Sequence, residues 1–331
     1  MKFSVGYRVC PDNKYMQAII DRKNNIEEIY FSWADFPNGR NNQLRQQNLT
    51  QWEAQQRQIE DIKLAYENGI KLNVLFNANC YGRNSQSRSF FEKIAETVDY
   101  LQREFALSSL TTTSILIAKF IKENFHNLEV RASVNMSIGT IESIDYISSY
   151  FDSFYIKREL NRDFKSIKQL KSYCEDNGKK IHILANSGCL NNCSAHTFHD
   201  KLVSHESDIE GRDNGYQFEG ICKEYFRKHQ DAGVLLSNTN FIRPEDVYLY
   251  EGLFHFMKLA TRVNQNPINV LKAYIDNKTY IGSVFNILEP DNSSALYPHI
   301  LDNSLIIPKT ENDKLVYNGE LIELDNNMIF G

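Results

Sequence analysis

Two cysteines four positions apart, Cys189 and Cys193, lie in the stretch HILANSGCLNNCSAHTFH at 182–199. Ile181, Ile183, Leu184 and Ala185 form an apolar run of strand length, and Asn186, Ser187 and Gly188 break it into a loop. Both thiols therefore leave the carboxyl end of a strand, where α/β sheets place their chemistry. An i, i+4 pair just past a glycine can turn both sulfurs toward one metal site. Cys222 follows after twenty-eight intervening residues. Three or four thiolates without a Cys-x-x-Cys pairing suit an iron–sulfur cluster better than a structural zinc, whose ligands come as two close pairs. Zinc held by Cys189, Cys193, Cys222 and a histidine such as His196 or His199 is the rival, because thiolates bind both metals.

The remaining cysteines divide by position. Cys174 is in phase with Ile167 and Leu170 on a predicted helix and reads as a small core residue. Cys80 follows a predicted strand at 71–76, and Cys10 follows the first strand. Other reactive side chains also fall after strands: Arg158 and Glu159 after the sixth, Thr261 and Arg262 after the eighth, with Asn77 and Lys157 nearby and Arg243 in the segment before the eighth. Arg158, Glu159, Arg243 and Arg262 are the candidate catalytic residues, able to bind an anionic substrate or polarise a carbonyl. The structural alternative is a set of loop ion pairs, Arg158 with Glu159 and Arg243 with Glu245 or Asp246, and Pro244 followed by acids fits a plain helix start. Neither HExxH nor GxSxG occurs, so no peptidase signature stands in the residues themselves.

These side chains need a scaffold that gathers strand ends. Strand-like runs fall at 2–7, 26–33, 71–76, 106–111, 128–133, 153–157, 180–185 and 254–259, the fourth being the weakest. Helical runs alternate with them, including a glutamine-rich polar one through about Glu67 that stops at Gly69, and others at 89–104, 114–125, 138–150, 164–177 and 267–275. The expected fold is α/β, a (β/α)8 TIM-type barrel over 1–278, with a long, polar and irregular insertion at about 187–253 between strands seven and eight. A small C-terminal extension with short strands is expected at 279–331.

Composition sets the outer limits. The 331 residues are 42% hydrophobic, and no run reaches the roughly 18 uninterrupted apolar residues of a membrane helix, so no membrane insertion is expected. A net charge of -5 gives no general pull toward nucleic acid, although a local basic groove is compatible with it. The amino terminus lacks the apolar core and cleavage site of a secretory signal, which predicts a cytoplasmic location and cysteines that serve as metal ligands or redox groups rather than disulfides.

The run ILANSGCLNNCSAHTFHDKLVSH, then Cys222, FIRPEDVYLYEG and MKLATR, together with YIKREL at 155–160 and FNANC at 76–80, resembles the collagenase-like proteins of family thirty-two of the unclassified (U) peptidases. The likeness spans about residues 1 to 275, and Ser194 stands where the related motif usually has proline. It implies a barrel and, in the iron–sulfur branch, a 4Fe-4S cluster on four cysteines, carried over as Cys189, Cys193 and Cys222 with Cys80 as the fourth and Cys10 as the alternative. Some such proteins are named peptidases. Others assist oxygen-independent hydroxylation of RNA bases or of quinone precursors, and related iron–sulfur proteins act with a partner of the same family. The expected function is thus hydroxylation or related redox chemistry on an RNA base or small molecule. The alternatives are peptidase activity and a metal-stabilised RNA-binding or assembly role without turnover.

Overall fold

A computed structural model describes residues 1–33, 36–39, 49–205 and 218–324. Eight parallel strands close into a barrel in chain order: β1 (Lys2–Gly6), β2 (Ile26–Ser32), β3 (Lys71–Phe76), β4 (Ser109–Thr112), β5 (Glu129–Ala132), β6 (Ser153–Tyr155), β7 (Lys180–Leu184) and β8 (Phe256–Leu259), with β8 pairing back onto β1. The expected (β/α)8 barrel is what the chain forms. Around it run α1 (Lys14–Ile20), α2 (Gln51–Glu67), α3 (Arg88–Phe105), α4 (Ile115–Asn124), α5 (Ile141–Asp145) and α6 (Phe164–Asp176), and α10 (Pro267–Leu271) follows β8.

Local chemistry sets the boundaries. Thr50 and Glu53 form a reciprocal capping box that starts α2 inside the described part of the glutamine-rich run; residues 40–48, which precede it, lie outside the described residues. The weak fourth strand begins later than its sequence suggests, because Ala106 takes a left-handed backbone (φ 49°) that closes α3 and leaves only Ser109–Thr112 to pair. Helix α5 is likewise shorter than the run at 138–150, since turns replace it after Asp145.

Each strand alternates, and the alternation is inverted relative to an aliphatic barrel interior. Val5, Ile29, Val74, Leu110, Val130, Phe154, Ile183 and Met257 belong to the large apolar core shared with the helices. Their polar neighbours meet inside. Arg131 Nη1 donates to both oxygens of Glu28 at 2.8 Å, Ser4 Oγ donates to Glu28 at 2.7 Å and Asn73 Nδ2 at 3.2 Å, so four strands converge on one carboxylate. Arg131 Nη2 also donates to Glu129 at 3.0 Å, and Glu129 accepts from Ser153 at 2.8 Å. Above this, His182 stacks on Phe256 at 4.5 Å, and the Lys258 ammonium sits over Tyr30 at 3.9 Å and Tyr155 at 4.9 Å. Arg131 and Glu28 are both nearly inaccessible, so desolvation is severe and only multiple hydrogen bonds make the pair tolerable.

The segment between β7 and β8 is not irregular throughout. It contains α7 (His196–Ser204), α8 (Ile221–Lys228) and α9 (Ala232–Ser237), followed by a 3₁₀ stretch at Pro244–Tyr250; residues 206–217 lie outside the described residues. Phe226, Leu235 and Leu236 are buried, so sparse apolar positions at helical spacing suffice to fold a largely polar stretch. The C-terminal part adds β9 (His299–Leu301) paired with β12 (Leu321–Glu323), and β10 (Ile307–Glu311) paired with β11 (Lys314–Asn318). Among the described residues no helix is long and apolar enough to cross a membrane.

Two outcomes follow from the charged interior. Replacing Arg131→Met strands the Glu28 carboxylate and is expected to cost about 3–5 kcal/mol in denaturant unfolding. A Glu28→Leu, Arg131→Met double variant is expected to recover part of that loss. Burial lowers the His182 pKa, so its neutral form contributes stability that is fully present above the unfolded value of about 6.5 and is lost as pH falls toward the lowered folded value. The stability lost between pH 7.5 and 5.5 is therefore expected to be smaller in His182→Gln than in the parent.

Candidate functional site

The loop after β7 is fixed before it reaches the first cysteine. Asn186 Nδ2 donates to the carbonyls of Ala260 (2.8 Å) and Ile287 (2.9 Å), and its Oδ1 accepts from the Ala260 amide at 2.6 Å. Gly188 donates its amide to Glu289 O at 2.9 Å, and a β-carbon at Gly188 would collide with the carbonyl of Pro290, so this passage needs glycine. Past it, Asn191 donates its amide to Asn238 O at 2.7 Å, and the Asn192 amide donates to Glu159 at 3.1 Å. Cys189 and Cys193 are thus held on a loop braced from three sides.

A narrow, partly enclosed cleft of about 10 Å³ forms between the loops after β5, β6 and β7; Lys157, Arg158, Glu159, Cys189, Cys193 and His196 all line it. Cys222, at the start of α8, joins the two thiols. Burial, and next the proximity of Cys189, push its thiol up to about 11, with Cys193 adding to the effect. The structure therefore brings Cys189 and Cys193 together with Arg158 and Glu159 around one cleft, and places Cys222 near them but outside its lining.

Helix α7 runs from this pocket to the loop after β3. At its first residue, His196 Nε2 lies 2.7 Å from Arg158 Nη1, and because a guanidinium only donates, that nitrogen must accept. Arg158 Nη2 donates to Asn135 at 2.8 Å, while Asp200 accepts from Asn79 Nδ2 at 2.9 Å and Ser204 Oγ accepts from the Asn79 amide at 2.9 Å. The helix therefore ties the loops after β3, β5 and β6 together. Sequence reasoning missed this role of His196 and Asp200; their i, i+4 spacing on one helical face was the available signal.

Other candidates lie elsewhere. Cys80 stands at the far end of α7, separated from Cys193 by a nine-residue helix, about 13 Å of rise. There a hydrogen bond from His205, and next one from the Gly82 amide at 3.4 Å, lower its thiol pKa. Cys10 is raised by burial and has Arg8, Asp12 and Asp61 for neighbours. Cys174 is fully buried in α6, and burial pushes its thiol up to about 11. Arg243 does not reach the pocket: it is buried against Asp246 at 2.7 Å, donates to the carbonyl of Asn303 at 3.2 Å, and covers the Tyr317 ring at 5.2 Å. It clamps the C-terminal segment, as the loop-ion-pair alternative for this residue anticipates. Arg262 stands over Tyr30 and donates to Ser32 at 2.6 Å, on the β1–β2 side of the mouth. His199 lies on α7 near Phe218 and is not among the residues lining the pocket.

The donor chemistry of the trio fits a thiophilic group. Soft thiolates select iron–sulfur clusters and zinc. A tetrahedral zinc completed by His196 Nε2 would have to displace the Arg158 hydrogen bond. Among the described residues no three His, Cys, Asp or Glu side chains are arranged around a single ion.

An uncharacterized protease of Methanocaldococcus jannaschii, MJ1657, is 24% identical over 239 residues, 70% of this chain and 67% of its own length. The structure of the U32 peptidase Mk0906 matches with a TM-score of 0.55 at 13% identity, over 78% of this chain and 92% of that one, a likeness of fold. The chain resembles the U32 peptidases. No protein-family model matches it.

Removing the Asp200 carboxylate tests the bracing of the pocket. Asp200→Ala leaves Asn79 without its charged acceptor and is expected to cost about 1.5–3 kcal/mol, with faster hydrogen exchange across 196–204. Unchanged exchange there would show that Asp200 does not hold the helix.

Proposed function

We propose that this chain is a U32-like barrel enzyme that works in the pocket beneath α7, with Cys189, Cys193 and Cys222 holding a 4Fe-4S cluster and a small molecule as substrate. The observation that carries this reading is the gathering of Cys189 and Cys193 with Arg158 and Glu159 around one cleft at the strand ends, with Cys222 near them. When bound, such a cluster supplies electron transfer or a Lewis-acidic iron to a substrate oxygen, chemistry compatible with oxygen-independent hydroxylation. Glu159 fixes the residue preceding Cys193 through its bond to the Asn192 amide, and Arg158, held by Asn135 and His196, presents fixed positive charge. His196 supports redox chemistry over thiol hydrolysis, because Arg158 occupies the lone pair a general base would use.

Peptide hydrolysis is the second reading, favoured by what the M. jannaschii relative and Mk0906 are called. It requires cleavage of denatured collagen or casein that Glu159→Gln abolishes.

Anaerobic loading with iron and sulfide, followed by iron counting and an absorption spectrum, separates these. Alanine at Cys189, Cys193 or Cys222 is expected to remove most bound iron, whereas Cys10→Ala, Cys174→Ala and Cys80→Ala are expected to retain it. A colourless protein that takes up zinc in place of iron would sink the cluster reading, and loss of iron in Cys80→Ala would return Cys80 to the ligand set.

A further inference from the structure

Lys157 enters the thiol pocket in an unusual way. Its aliphatic stem lies across Gly139, where a β-carbon would come within 2.5 Å of Cε and 2.6 Å of Cδ, so the glycine makes room for the side chain of Lys157, which lines the pocket. The loop bearing Gly139 is fixed to the strand end, since the Lys157 amide donates to Ile138 O at 2.7 Å. Among the described residues no carboxylate pairs with Lys157, although three dozen other basic groups compete for such partners along the chain and many find one. Its neighbour Arg158 is 92% buried, lines the same pocket, and uses Nη1 and Nη2 on His196 and Asn135. That leaves Arg158 Nε as a buried donor with no acceptor. An orphaned buried donor calls for an explanation, and a ligand is one.

We infer that Lys157 and Arg158 form a subsite for the carboxylate of the substrate, next to the thiol trio. This rests on the reading of the pocket as the site of chemistry and names the class of molecule it takes. The Lys157 ammonium and the Arg158 N–H groups not used on His196 and Asn135 offer separate contacts, which match the two oxygens of a carboxylate. A phosphate dianion fits less well, because the Glu159 carboxylate lines the same space and opposes a second negative charge.

Alkylation with a charged and a neutral reagent tests the subsite on the full chain, reduced and stripped of metal. Iodoacetate carries a carboxylate and iodoacetamide does not; in both, a thiolate sulfur displaces iodide from the methylene carbon to form a C–S bond. The rate ratio of iodoacetate to iodoacetamide at Cys189 and Cys193, each normalised to free cysteine, is expected to be raised about tenfold by local attraction. Lys157→Gln is expected to return the ratio to that of free cysteine, Lys157→Arg to keep most of it, and Gly139→Ala, which displaces the stem while retaining the charge, to lower it. Thermal unfolding of each variant confirms folding, and Gly139→Ala carries the test should Lys157→Gln not fold. An equal ratio in the parent and in Lys157→Gln would overturn the inference. So would removal of the preference by inorganic phosphate at a concentration where acetate has no effect, which would assign the subsite to phosphate. Iron loading of the same preparations keeps the outcomes apart: a raised ratio without iron uptake sinks the cluster alone, and iron uptake with a flat ratio sinks the carboxylate subsite alone.

Discussion

The Glu28–Arg131 pair at the centre of the barrel is the interaction on which the rest depends. Two hydrogen bonds from one guanidinium nitrogen, with further donors from Ser4 and Asn73, let a carboxylate sit with no solvent access inside a closed sheet. A barrel interior is ordinarily filled by layers of branched aliphatic side chains. Here most aliphatic strand side chains are outside, against the helices, and the inside holds a polar array around Glu28, Arg131, Glu129 and Ser153, with His182 stacked on Phe256 and Lys258 over Tyr30. Charged networks of this kind specify one arrangement, because a shift in register would leave several desolvated groups unpartnered. Strand ends fixed in this way can hold loops to hydrogen-bond precision at the mouth.

That precision is used at one sector of the mouth. The loops after β5, β6 and β7 are bonded to one another and to α7, and the thiol pocket lies where they meet. The C-terminal segment supports the same sector from behind, through Glu289 on Gly188 and through the Arg243 clamp on Asn303 and Tyr317. Arg162 adds to this support by covering Tyr317 at 4.6 Å. The parts of the chain beyond the eighth strand therefore act on the site through the loop that carries Cys189.

Much of the fold was legible because each strand carries its apolar residues at alternate positions and each long helix has its own stop. Val5, Ile29, Val74 and Ile183 mark strands without knowledge of what lies between them. What lay between them was also written in the sequence, as Ser4, Glu28, Asn73, Arg131 and His182 at the intervening positions, but a polar residue inside a short strand reads equally as solvent-facing. Position after a strand was enough to place Cys189, Cys193, Arg158 and Glu159 around one cleft at the mouth. Arg243 and Cys80 show the limit of that rule. Both stand near strand ends, yet the side chain of one turns into the C-terminal segment and the other lies across the length of α7. Which sector of the mouth a residue serves depends on a helix whose nine residues connect two distant loops, and no local pattern encodes that connection.

The central claim is that Cys189, Cys193 and Cys222 act together as one ligand set. Peptide mapping of thiol alkylation before and after anaerobic loading with iron and sulfide measures this cysteine by cysteine. The account predicts that loading protects these three in parallel, in proportion to bound iron, and leaves Cys80 as reactive as before. Protection of only one or two of the three, or of Cys80 in place of Cys222, would contradict it.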